Sequence, residues 1–114
     1  MTGESILIVE PDEVLLKTMS EQVLSPYGFK PLAAQNPEDG LNIALNNGPH
    51  LLLLHLSLDK SAYLLHRLAQ ADHLIPTILV VDPESTHLPI EFLRWGVRDC
   101  LVHPFTPEQV LSAI

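Results

Sequence analysis

Three short runs, Ile6-Leu-Ile-Val9, Leu51-Leu-Leu-Leu54 and Ile78-Leu-Val-Val81, are wholly apolar, and each ends abruptly at a polar residue. Such runs are too short for a buried helix and lack the alternation of a strand wetted on one side. They read as strands buried on both faces, the pattern of a parallel sheet with helices packed above and below it.

The segments between them carry a helical period. Val14/Leu15, Thr18/Met19 and Gln22/Val23 recur at three- and four-residue spacing until Pro26-Tyr-Gly28, where a glycine suits a helix C-terminus. Phe29-Lys-Pro-Leu-Ala33 reads as a second strand, placed at a sheet edge because Pro31 has no N–H to give a ladder. Asn36-Pro-Glu-Asp39 opens a second helix with a cap, a proline in the first turn and acid there; Leu41, Ala44 and Leu45 form its inward face, and Asn47-Gly48 closes it. Ala62, Leu65 and Ala69, with Leu64 and Leu68 alongside, mark a third helix that ends near Ala71-Asp72. Thr86 is the expected cap of a fourth, with Pro89 in its first turn and Gly96 behind its last apolar residues. Cys100-Leu-Val102 supplies a fifth strand, and Thr106-Pro-Glu-Gln109 has the form of a capping box for a last helix running to Ile114. Strand and helix alternate through all of this, which predicts a three-layer α/β/α sandwich around a five-stranded parallel sheet, (βα)5.

Composition narrows the function classes. The 114 residues fit one domain, 1–114, and 46 % hydrophobic against 18 % charged residues is too apolar for a disordered chain. Cys100 is the single cysteine, so an internal disulfide and a multi-cysteine metal site are both excluded, and a reducing compartment, most simply the cytoplasm, is expected. Fourteen acidic residues against six basic ones give a formal charge of −8, which repels phosphate backbones and argues against direct nucleic-acid binding. No apolar run reaches the roughly 18 residues of a membrane helix, and Met1-Thr-Gly-Glu-Ser5 lacks the features of a signal peptide, so no membrane association is expected.

In open α/β sheets chemistry gathers beyond the carboxyl ends of the strands. The residues placed there are Glu10-Pro11-Asp12, His55, Val81-Asp82 and His103. With Ile6-Leu-Ile-Val-Glu10, Pro49-His-Leu-Leu-Leu-Leu-His55, Ile75-Pro-Thr-Ile-Leu-Val80 and Leu101-Val-His-Pro-Phe-Thr106 in this order, the chain resembles the CheY-like receiver domain of bacterial response regulators over essentially its whole length. The resemblance implies a flavodoxin-like fold. It also implies a site in which an acidic pair after the first strand and an aspartate after the third hold Mg²⁺, and that aspartate takes a phosphoryl group from a histidine kinase. A Ser/Thr after the fourth strand and a Lys before a cis-proline then contact the phosphoryl oxygens.

Carried over residue by residue, those roles fall on Glu10 and Pro11, His55, Val81 and His103, and only Glu10 is chemically suited to its role; Asp12 is one residue late. Without the aspartate no acyl phosphate forms, and without the hydroxyl and the ammonium nothing familiar balances transferring phosphoryl charge. Pro104 matches the cis-proline, and Cys100 stands where the family has its switch aromatic. The stretch from Leu56 to Ala62, expected as a loop, is short and has neither proline nor glycine.

The expectation is therefore a pseudo-receiver: a non-catalytic signalling module, part of a longer protein, with no cofactor. Its expected partners are proteins, namely a histidine kinase, an output domain of its own chain or a second copy. By resemblance, Phe92, Trp95 and Val97 are the nominated partner surface. Cys100 is expected to be small, buried and inert. Two alternatives use the same rim. One is an atypical phosphorelay regulator. The other is a sensor of a metal, small ligand or pH built on Glu10, His55 and His103, expected at the ends of adjacent strands; the competing view of these groups is a hydrogen-bonded filling of a dead pocket.

Overall fold

The computed structural model describes residues 3–84 and 87–114. Five strands, β1 (Ser5–Val9), β2 (Lys30–Ala34), β3 (Leu51–Leu54), β4 (Thr77–Val81) and β5 (Val97–Val102), form one parallel sheet in the order β2-β1-β3-β4-β5. The helices between them are α1 (Glu13–Thr18), α2 (Pro37–Asn47), α3 (Leu58–Gln70), α4 (Glu91–Arg94) and α5 (Pro107–Ala113). Pro31 indeed lies on an edge strand.

The apolar runs work as their composition requires. Alternate residues of the central strands point to opposite faces. Leu7, Val9, Leu52, Leu54, Leu79 and Val81 pack in a cluster with Leu41 and Ala44 of α2 and Leu64, Leu65 and Leu68 of α3. Ile6, Ile8, Leu51, Leu53, Ile78 and Val80 pack on the other face with Leu16, Met19, Val23, Leu24 and Val110. Each such side chain contributes about 1.5 to 3 kcal/mol when fully buried, so the sheet interior dominates the stability of the domain. Gly40 of α2 lets the helix press on β1: a Cβ there would stand 2.9 Å from Val9 Cγ2.

Local signals fix the helix ends. Asn36 Oδ1 accepts from the Asp39 N–H at 2.8 Å, and Gly48 adopts a left-handed conformation at the end of α2. Thr106 and Gln109 make the reciprocal pair of a capping box at α5.

Several expectations are corrected. Beyond Thr18 the first helix widens into a π-helical turn over Met19–Leu24 and a 3₁₀ turn over Ser25–Tyr27. The buried face is Leu16, Met19, Val23 and Leu24, and Val14 is 74 % exposed. On α2 the inward face is Pro37, Gly40, Leu41 and Ala44, while Leu45 is exposed. The third helix starts at Leu58, not Ala62, because Ser57 caps it by accepting from the Lys60 N–H at 3.4 Å. The expected loop is thereby reduced to His55, Leu56 and Ser57. The fourth helix is a single turn, and Pro89 precedes it, its carbonyl accepting from the Phe92 N–H. The proposed cap Thr86 lies outside the described residues.

This short α4 changes the surface around it. Phe92 and Val97 are buried, 1 % and 6 % exposed, so neither belongs to a partner surface; Ile90 and Leu93 are exposed instead, and Trp95 is half-buried against His66 and Phe92. Cys100 is exposed rather than buried. It sits on an edge strand that runs past a one-turn helix, and a register shift where Thr77 and Ile78 face Val97 and Asp99 disturbs the alternation of β5. Partial burial and the Asp99 carboxylate push its thiol pKa up, which leaves little thiolate near neutrality.

Candidate functional site

Strand register builds the rim. Val9 pairs with Leu54, so the next residues, Glu10 and His55, leave the sheet side by side. The Glu10 N–H donates to the Ala34 carbonyl and the His55 N–H to the Val9 carbonyl, both at 2.9 Å, so both backbones are fixed just beyond the strands.

Glu10 is 2 % exposed, and both carboxylate oxygens are engaged. Oε1 lies 2.5 Å from His55 Nδ1, and Oε2 accepts from the Asp12 N–H at 3.1 Å. A carboxylate only accepts, so the imidazole proton facing it sits on Nδ1. The opposite nitrogen, Nε2, is 3.9 Å from Asp82 Oδ1, whose side chain is 56 % exposed. The His103 ring lies against His55 with centroids 5.1 Å apart, and Phe105 stands edge-on to His103. The His103–Pro104 peptide is cis. Together with Pro11, Asp12, Ser57 and Val81, His55 and Asp82 line a cavity of about 290 Å³.

The hydrogen bond to Glu10 is the largest influence on His55 and raises its pKa above the ordinary imidazole value. Burial opposes this, and the charges of Glu10, Asp82 and Asp12 add to the rise. His55, which the resemblance places where an aspartate is expected, is thus shifted toward its positively charged form.

The Mg²⁺ that this type of fold implies does not fit the donor set. Glu10 is spent on His55 and on a backbone N–H. The Asp12 side chain turns away to cap α1, accepting from Val14 and Leu15 N–H groups at 2.9 and 3.3 Å. Among the described residues no three His, Cys, Asp or Glu side chains come together in a way that could hold a metal ion, which also removes the Glu10, His55 and His103 metal site. No lysine or arginine is among the described residues lining the cavity, so that lining holds no ammonium or guanidinium to steady a transferred phosphoryl group.

The expected adjacency of the three strand ends is half right: β1 and β3 are neighbours, but β4 separates β3 from β5. His103 still reaches His55, since its N–H donates to the carbonyl of Val81, the last residue of β4, and the ring projects past that strand. Ser57, which caps α3 and lines the cavity, is not among the residues the sequence singled out, although Ser57 followed by Asp59 is a readable helix start.

No family model matches the chain. The "Uncharacterized transcriptional regulatory protein YkoG" of Bacillus subtilis (strain 168) is 31 % identical over 111 residues, which are 96 % of this chain and 48 % of that protein. The "Probable transcriptional regulator ycf27" of Porphyridium aerugineum is 27 % identical over 115 residues, 100 % of this chain and 48 % of that protein. The chain thus spans about half the length of the curated relatives it matches. Among solved structures, a CheY-like response regulator receiver domain protein from Methanospirillum hungatei JF-1 superposes with a TM-score of 0.80 at 22 % identity, covering 98 % of this chain and 90 % of that one.

Proposed function

We propose that this chain, whose fold is that of the CheY-like receiver domains of response regulators, is a signalling module that acts through protein contacts without taking a phosphoryl group. The observation that carries this reading is the contact between Glu10 and His55. Acceptor and metal-holding positions have been converted into one internal pair that satisfies itself. Val81 and His103 extend the change, since neither offers the hydroxyl or ammonium that would steady a phosphoryl oxygen. The apolar residues that remain exposed at α4, Ile90 and Leu93, are available for protein contact. We read the domain as the receiver portion of a longer regulator, because the relatives it matches are about twice its length.

A second reading, a phosphoryl-accepting regulator, draws on relatives named as transcriptional regulators. It needs an acceptor other than aspartate at position 55. Fluorine NMR with beryllofluoride and Mg²⁺ separates the two. The proposal expects only free fluoride species, and a bound resonance in slow exchange would favour the phosphoryl-accepting regulator.

A further inference from the structure

We propose that His55 is a proton-operated latch on this rim: with one ring proton it serves Glu10 alone, and with two it also holds the Asp82 carboxylate, tying the end of β4 to β1 and β3. The inference rests on the reading that no metal or phosphoryl group occupies the rim.

The geometry sets the two states. Nδ1 faces Glu10 at 2.5 Å, so the single proton of a neutral imidazole is held there. Nε2 then turns a lone pair toward Asp82 Oδ1 at 3.9 Å, an unfavourable approach to a carboxylate. A second proton on Nε2 reverses the sign of that contact. Because 3.9 Å is too long for a hydrogen bond and the Asp82 side chain is more than half exposed, a small rotation of that side chain completes the closure.

The surrounding charges favour the doubly protonated state. Glu10 and Asp12 face His55 from the β1 side and Asp82 from the end of β4, while Ser57 at the start of α3 is uncharged. The His103 ring, 5.1 Å from His55 on the β5 side, is the one basic neighbour among the described residues of the rim. The raised pKa of His55 agrees in direction. Asp82 directly follows Val81, the last residue of β4, and begins the connection toward α4 with its exposed Ile90 and Leu93. A proton bound at β3 is therefore felt where the chain leaves for that surface.

The test is residue-resolved NMR of the histidine rings, from about pH 5 to about pH 9, a range that brackets imidazole titration. It compares the unmodified protein with Asp82→Asn, an exposed change that leaves the core intact, and with Asp99→Asn, a charge control on β5. The latch predicts the Nδ1–H tautomer of His55 at high pH, and a midpoint that moves down in Asp82→Asn more than in Asp99→Asn. An Nε2–H tautomer, or equal midpoints in Asp82→Asn and the unmodified protein, would overturn it. No phosphodonor is present, so failure of the latch leaves the reading of a phosphoryl-free module standing, whereas a phosphoryl adduct on the rim, found separately by mass, removes that reading and the latch with it.

Discussion

The interior of the sheet and its carboxyl-end rim have followed different rules. In the interior, Leu7, Leu52, Leu54 and Leu79 are fully buried and packed against α2 and α3, as any sheet of this topology requires. At the rim Glu10 and His55 emerge side by side, a cis peptide precedes Pro104, and the Glu10 and His55 side chains make a closed hydrogen-bonded pair. Packing sets the first region, and any group that fills the second without leaving a buried charge unpaired preserves the fold. The same fold can therefore carry different groups at its rim, and fold alone does not assign function.

That contrast can be broken experimentally. Leu52→Ala, deep in the interior, should lose about 2 to 5 kcal/mol in urea unfolding; a loss comparable to that of a surface change would mean the sheet interior is not what holds the domain. Glu10→Gln replaces a charge-assisted hydrogen bond with a neutral one and should cost about 1 to 2 kcal/mol near pH 6, with the fold retained by circular dichroism. If it unfolds the protein instead, the rim is as structural as the core. Asp12→Ala removes the cap of α1 and should cost about 1 kcal/mol in the same measurement.

The smallest effect is a pH dependence. The His55 pKa is raised in the folded state by its bond to Glu10, so its stabilisation is complete below the unfolded value of about 6.5 and is lost as pH rises through the folded value. Thermal unfolding of the unmodified protein should therefore show stability declining as pH rises above about 6.5, and Glu10→Gln should flatten that decline. An unchanged slope in the variant would detach the titration from this pair.

Much of this was legible in the residues. Four-residue apolar runs specify doubly buried strands, Pro31 marks an edge, and Asn36 and Thr106 announce helices. The α4–β5 region was harder to read. Pro89 and a single helical turn carry little periodic signal, and Arg98-Asp99 with a register shift hides a strand whose outward residues include Cys100. The π-helical turn after Thr18 left no mark in the spacing. At the rim the members were legible because strand ends define them. That they fill the pocket by bonding one another was one of the readings, but the intervening β4 and the reach of the His103 ring past it were not legible.

Intact-mass spectrometry of the protein after incubation with acetyl phosphate and Mg²⁺ addresses the central claim most directly. The account predicts an unchanged mass. A stoichiometric, Mg²⁺-dependent gain of one phosphoryl group, mapped to His55 or its neighbours on the rim, would contradict it.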